Sequence, residues 1–259
     1  MVISIGFHDV VEEVSSAPGH VTVYAVERHV FLDHLAAIRS RAGVDSVSRV
    51  DRVGSNGRTP VFITVDDGNI SGFTYIAPEL EKLGWRGHFF VTTNLIGRPG
   101  FLDRQQIQEL HQRGHLIGSH SCSHPEQMAS LRWEELLREW RDSCALLSDL
   151  IGAPTTVASV AGGYYSQKVG QAAAASGIKV LFTSEPTATA QFVNNCRVLG
   201  RYTVRRSTPP AVVGAIAAGM KWPRYQQAVT WFVNKIAKTV AGPRYLSARR
   251  IVLDRLYGR

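Results

Sequence analysis

Nowhere in its 259 residues does this chain offer about 18 consecutive apolar side chains, so no membrane-crossing helix is expected. Its opening residues, Met1 to Asp9, lack a basic region and a long apolar stretch, and read as a first strand rather than an export signal. Cysteine is scarce. Cys122, Cys144 and Cys196 are odd in number and show no C-x-x-C spacing, which argues against a disulfide framework and suits a reducing compartment. The expected location is therefore cytoplasmic. No Gly-x-Gly-x-x-Gly turn follows the first strand, which disfavours an open dinucleotide-binding sheet. Histidine disappears after position 124; all nine lie at or before it. Acid is nearly absent from the C-terminal end. Residues 221–259 hold nine Lys/Arg and a single acid, Asp254, whereas residues 1–220 hold 20 of each sign. The net charge of +8 thus sits in that last segment, a distribution unlike that of a uniformly basic nucleic-acid binder, and no nucleic-acid partner is expected.

With 44% apolar residues the chain can build a full core. Strand-like runs alternate with helix-like periodicity at intervals of about 25–35 residues, the rhythm of βαβ units. Strands are expected near residues 2–7, 60–66, 87–92, 115–120, 155–160, 178–183 and 197–204. Between them, Phe31, Leu35 and Ile38, then Leu136, Trp140, Cys144 and Leu147, recur at helical spacing. About seven strands of this kind predict an α/β fold, a (β/α) barrel either closed or incomplete, over residues 1–220, followed by a basic amphipathic helical tail over residues 221–259.

The central stretch is Pro60-Val61-Phe62-Ile63-Thr64-Val65-Asp66-Asp67-Gly68-Asn69. A β-branched and aromatic run ends in two adjacent carboxylates, where α/β folds keep their chemistry. Neighbouring carboxylates repel, so both stay ionised only with a cation or a proton nearby. Imidazoles occur downstream in His120-Ser121-Cys122-Ser123-His124. If a helix begins there, His120 and His124, four apart, face the same side. Together with Asp67 they make a two-histidine, one-carboxylate set with a position open for water, as in catalytic zinc sites. Asp66 is placed to take a proton from that water. Cys122, between the histidines, would point away from their shared face.

Thr64-x-Asp66-Asp67-Gly68 followed by His120-Ser121-x-x-His124, with the opening Phe7-His8-Asp9-Val10, resembles the polysaccharide deacetylases, the NodB-homology domain of carbohydrate esterase family 4. The resemblance covers roughly residues 1–205. It implies a distorted (β/α) barrel and a metal-dependent hydrolase that removes acetyl groups from an N-acetylated or O-acetylated glycan or lipid-linked saccharide. By the same resemblance Asp66 is the catalytic base, and Asp67, His120 and His124 bind Zn2+ or another divalent transition metal such as Co2+ or Ni2+.

The pattern breaks in two places. The family's third motif carries an arginine that orients the base; here the stretch is Ala158-Ser159-Val160-Ala161-Gly162-Gly163-Tyr164. Gly162, Gly163 and Tyr164 either approach a substrate oxyanion or form a simple turn. Arg201 or Arg205 is the candidate replacement for the arginine. The family's late histidine, its general acid, is missing as well. His8, at the end of the first strand, is the best substitute and Glu185 a weaker one; the alternative for His8 is a packed or solvent-facing side chain. These losses keep a second reading open, a metal-binding pseudoenzyme that holds glycan without turnover. In the tail, Trp222, Tyr225, Val229, Phe232, Val233, Ile236 and Val240 share one helical face. That face either packs on the barrel or, with the surrounding Lys and Arg, meets an anionic membrane surface.

Overall fold

The computed structural model describes residues 1–13, 23–52 and 58–235. Strand β1 (Ile3–Phe7) leads into β2 (Asp9–Val11), which pairs with β3 (Ala25–Glu27). Then come α1 (Arg28–Ala42), β4 (Val61–Val65), α2 (Ala77–Lys82), β5 (His88–Val91), α3 (Arg104–Gln112), β6 (Leu116–Ser119) and α4 (Trp133–Ile151). The chain continues through β7 (Val157–Ser159), α5 (Gln167–Ala175), β8 (Val180–Phe182), β9 (Gln191–Val193), β10 (Cys196–Leu199), β11 (Tyr202–Thr203) and α6 (Pro210–Ala217) to a helix, α7, over residues 221–235. Among the described residues no helix is long and apolar enough to cross a membrane.

The main sheet has nine strands in the order β11-β1-β4-β5-β6-β7-β8-β10-β9, all parallel except β9 against β10. The expected seven strands become nine for two reasons. The run near residues 197–204 is interrupted at Gly200-Arg201 and supplies two strands, β10 and β11, while Gln191–Val193 adds the antiparallel β9. The break in that run also fixes the shape. A flat sheet would put β10 and β11, seven strand spacings apart, about 34 Å from one another. The chain crosses from Leu199 to Tyr202 in three residue steps, which reach about 11 Å at most. The sheet therefore curls until its two edges nearly meet, giving an incomplete barrel with an open seam. Gly200 permits the crossing: a Cβ there would lie 2.2 Å from the Glu185 carbonyl oxygen.

Strands β1, β4, β5 and β6 are buried along their whole length, which explains why they read as continuous apolar runs. On the outer face Phe31, Leu35, Leu80, Ile107, Leu110 and their neighbours pack the helices onto the sheet. On the inner face side chains alternate along each strand and form layers. The lower layer is apolar, built from Phe62, Phe90, Val157, Phe182 and Leu199. Two residues further along the chain from Phe62, Val157 and Leu199 the residues are polar: Thr64, Ser159 and Arg201, all buried. The candidate site stands on this second layer.

Local signals place the elements. An Asp103–Gln106 capping box opens α3, Ser166 caps α5, and Gly152 in the left-handed conformation closes α4. Of the tail face, Trp222 to Val233 fall on α7; Ile236 and Val240 lie outside the described residues.

Candidate active site

Asp66 follows β4 directly, and its backbone N–H donates to the Phe7 carbonyl, which brings the ends of β1 and β4 together. Its carboxylate is 3% exposed. Oxygen Oδ1 accepts Nη1 of Arg201 at 2.6 Å and the hydroxyl of Ser159 at 2.9 Å. Arg201 is 2% exposed and held on all sides: Nε donates to the Thr183 carbonyl, Nη1 also to Thr64 Oγ1, and the guanidinium lies over the Phe90 ring. The arginine expected in the 158–164 stretch is therefore replaced in space by one entering through the barrel seam. Arg205, the other candidate, is exposed and takes no part. Burial works against the Asp66 charge, but the Arg201 charge, together with His120 and the Arg201 hydrogen bond, outweighs it and holds the carboxyl down at about 2.

Asp67, His120 and His124 converge beside this pair, with one ligand atom of each within 4.8 Å of the others. Asp67 Oδ1 lies 3.3 Å from His120 Nε2 and 3.4 Å from His124 Nε2. No helix produces this meeting. His120 ends the extended β6 segment, and Ser121 and His124 sit at φ of 67° and 54° in a left-handed turn that folds the second imidazole back over the first. Asp67 has φ of 73°. Only four non-glycine residues have positive φ among the described residues, and three belong to this turn and to Asp67. Such backbone costs about 1–3 kcal/mol per residue and persists only where surrounding contacts enforce it.

Those contacts come from α4. Glu139 accepts the backbone N–H groups of Cys122 and Ser123 at 2.8 and 2.9 Å and the Ser123 hydroxyl at 2.6 Å. The Cys122 thiol turns toward the Glu139 carbonyl, away from the imidazoles, and burial raises its pKa. Gly162 braces the other side. A Cβ on it would lie 2.3 Å from the Glu126 carbonyl oxygen, so the 161–163 turn closes directly onto the segment after His124.

The donor set suits a divalent cation. Ser159 donates its hydroxyl proton to Asp66, so toward His120 Nδ1, 2.7 Å away, it can only accept. Nδ1 also lies 3.0 Å from the Ser159 carbonyl oxygen. The proton of a neutral His120 is thereby fixed on Nδ1, and Nε2 presents a lone pair to Asp67 Oδ1, itself an acceptor. Two acceptors at 3.3 Å need positive charge between them. With protons on the imidazoles in place of a metal, the Asp67 carboxylate raises the pKa of His124, and both histidines hold Asp67, despite burial, well below the ordinary carboxylate range.

His8 reaches the same site. Its Nε2 is 3.9 Å from Asp66 Oδ2, its ring stacks on Tyr24 at 4.6 Å, and burial lowers its pKa. Glu185, the weaker candidate acid, pairs with Lys235 at 3.5 Å, and its carbonyl accepts the Arg201 N–H. Sequence reasoning missed Ser159 and Glu139. Ser159 was findable from inward parity with Val157. Glu139 looks like any solvated acid on an amphipathic helix.

The sequence pattern that defines the polysaccharide deacetylases matches residues 54–181. YxkH of Bacillus subtilis (strain 168), whose name places it with the polysaccharide deacetylases, is 29% identical over 161 residues; the match covers 62% of this chain and only 57% of that protein's length. Two solved structures share the fold. The Streptococcus pyogenes deacetylase PplD, in complex with acetate, has a TM-score of 0.66 at 21% identity, covering 81% of this chain and 94% of that one. IcaB from Ammonifex degensii has a TM-score of 0.66 at 20% identity, covering 84% and 97%. Sequence pattern and fold agree: residues 54–181 belong to the polysaccharide deacetylase family, the NodB-homology domain of carbohydrate esterase family 4.

Proposed function

We propose that this chain removes acetyl groups from an N-acetylated, or O-acetylated, saccharide, with Asp66 as general base and a divalent transition metal held by Asp67, His120 and His124. The observation that carries the reading is the buried Asp66–Arg201–Ser159 cluster directly beside that three-donor set, because a structural metal site alone has no use for a second, separately anchored carboxylate. Zinc, or Co2+ or Ni2+ in its place, supplies Lewis acidity and a water acidified toward neutrality.

The protein's own groups then divide the proton traffic. Oδ1 of Asp66 is occupied by Arg201 and Ser159, so Oδ2 is the oxygen offered to the proton of the attacking water. His8, facing that same oxygen, takes the proton on from Asp66 and delivers it to the leaving nitrogen, since an amide anion is too basic to depart. A backbone N–H of the Gly162–Tyr164 turn serves as oxyanion donor.

The test is metal content by mass spectrometry beside acetate release from acetylated chito-oligosaccharides. About one ion per chain is expected, lost in His120→Ala/His124→Ala. Asp66→Asn is expected to keep the ion and lose turnover. Turnover unchanged in Asp66→Asn refutes the base assignment. A bound metal with no release from any acetylated saccharide favours the pseudoenzyme.

A further inference from the structure

Helix α7 touches the rest of the protein along one side only. Gln227 donates to the Thr203 carbonyl at 2.7 Å, and Lys235 reaches Glu185 at 3.5 Å while lying over the Trp231 ring. At 100° per residue, Trp222, Tyr225, Val229, Phe232 and Val233 fall within an arc of about 100° on a different side. All five are exposed, Trp222 by 66% and Phe232 by 57%. The first possibility raised by the sequence, that this face closes the barrel, does not hold for the described part of the helix. Trp222 and Tyr225 instead stack on each other at 6.1 Å, outside the core.

We propose that α7 docks in the interface of an anionic lipid bilayer, with the Trp222–Val233 face at the boundary of headgroups and acyl chains. Charge complementarity selects this occupant. Lys221 borders the apolar arc, and residues 221–259 as a whole hold nine basic residues against one acid. An aromatic-rich apolar stripe beside concentrated Lys and Arg is the pattern of a helix lying in the plane of a membrane. A soluble polyanion would use the charge and leave the aromatics without a role. The proposal does not depend on catalysis at Asp66, and its failure leaves that reading untouched.

The test is co-sedimentation of the full chain with vesicles of phosphatidylcholine alone or mixed with phosphatidylglycerol, at low and high salt. Binding at least about tenfold stronger to the anionic vesicles is expected, weakened by salt. Lys221→Gln should lower it about fivefold, the equivalent of one basic residue at the surface. Trp222→Ser/Phe232→Ser should lower it more than tenfold, with an unchanged circular dichroism spectrum. Four results overturn the proposal. One is no binding to anionic vesicles at low salt. Another is equal vesicle binding by wild type and the double serine variant, which assigns the contact to charge alone. A third is tighter binding to DNA or heparin than to vesicles, insensitive to the serine substitutions. The last is covering of the face by the protein itself, seen as a wild-type dimer that the serine variant abolishes, or as a marked loss of stability in Trp222→Ser where residues 236–259 cover it.

Discussion

Removing the Arg201 guanidinium tests the site at its most buried point. Arg201 and Asp66 are 2% and 3% exposed, so neither charge can turn to water when its partner is lost. Breaking one side of a buried pair typically costs about 3–5 kcal/mol, because the survivor is left charged and desolvated. Arg201→Met should therefore destabilise by that amount, and Asp66→Asn by somewhat less, since Arg201 keeps Thr183 and Thr64 as partners. The double variant Asp66→Asn/Arg201→Met removes both charges together and should fall well short of the sum, with a coupling of about 2–3 kcal/mol. Domains of this kind hold about 5–15 kcal/mol in total, so the single variants remain measurable by urea unfolding.

Catalysis supplies the second readout. Arg201 holds Oδ1 of Asp66 and is too buried to touch a polysaccharide, so its loss should lower kcat about 100-fold through misplacement of the base while leaving KM near its original value. Arg201→Lys should not restore it, because an ammonium cannot span Thr183, Thr64 and Asp66 in one planar geometry. The reasoning fails if Arg201→Met unfolds within about 1 kcal/mol of wild type, or if the single losses add fully in the double variant. It also fails if KM rises while kcat stays put.

Three further outcomes follow from the geometry. Glu139→Ala releases three hydrogen bonds to the 121–124 turn and should weaken zinc binding about 10–100-fold in a chelator competition without unfolding the protein. His8→Gln should slow amide hydrolysis about 100-fold or more and an aryl acetate far less, since a phenolate leaves without help; equal losses on both substrates refute the acid role. His88 sits in the lower barrel layer as a neutral ring: Nε2 accepts the Val50 N–H, so Nδ1–H donates to the Ile63 carbonyl, and burial lowers its pKa to about 4. Its unfolded value is about 6.5, so the unfolded chain binds the proton first. The stability contributed is complete above pH 6.5 and drains away as pH falls toward 4, by about 2 kcal/mol at pH 5. Urea midpoints at pH 7.5 and 5 should therefore diverge less in His88→Gln than in wild type, and parallel behaviour refutes it.

How much of this was legible beforehand depends on how each residue reaches the site. Asp66, Asp67 and His120 stand directly at the ends of β4 and β6, and a parallel βαβ sheet delivers strand ends to one edge, so order along the chain sufficed to group them. His124 comes beside them by a route its spacing does not suggest. Its four-residue offset suggests a helix, whereas a left-handed turn, clamped by Glu139 from a distant helix, makes the contact. Arg201 could be narrowed to two residues and no further, because its place depends on the sheet curling until β10 and β11 face each other across the seam, a long-range consequence that no local periodicity carries. What the site requires is a cation at Oδ1 of Asp66, and the barrel lumen can be entered from any strand whose parity points inward. Ser159 on β7 is short enough to leave that space open and still bond both Asp66 and His120. The crossing between β10 and β11 then fills it. A missing motif arginine therefore says little about a missing function until the lumen has been searched for another charge aimed at the same oxygen.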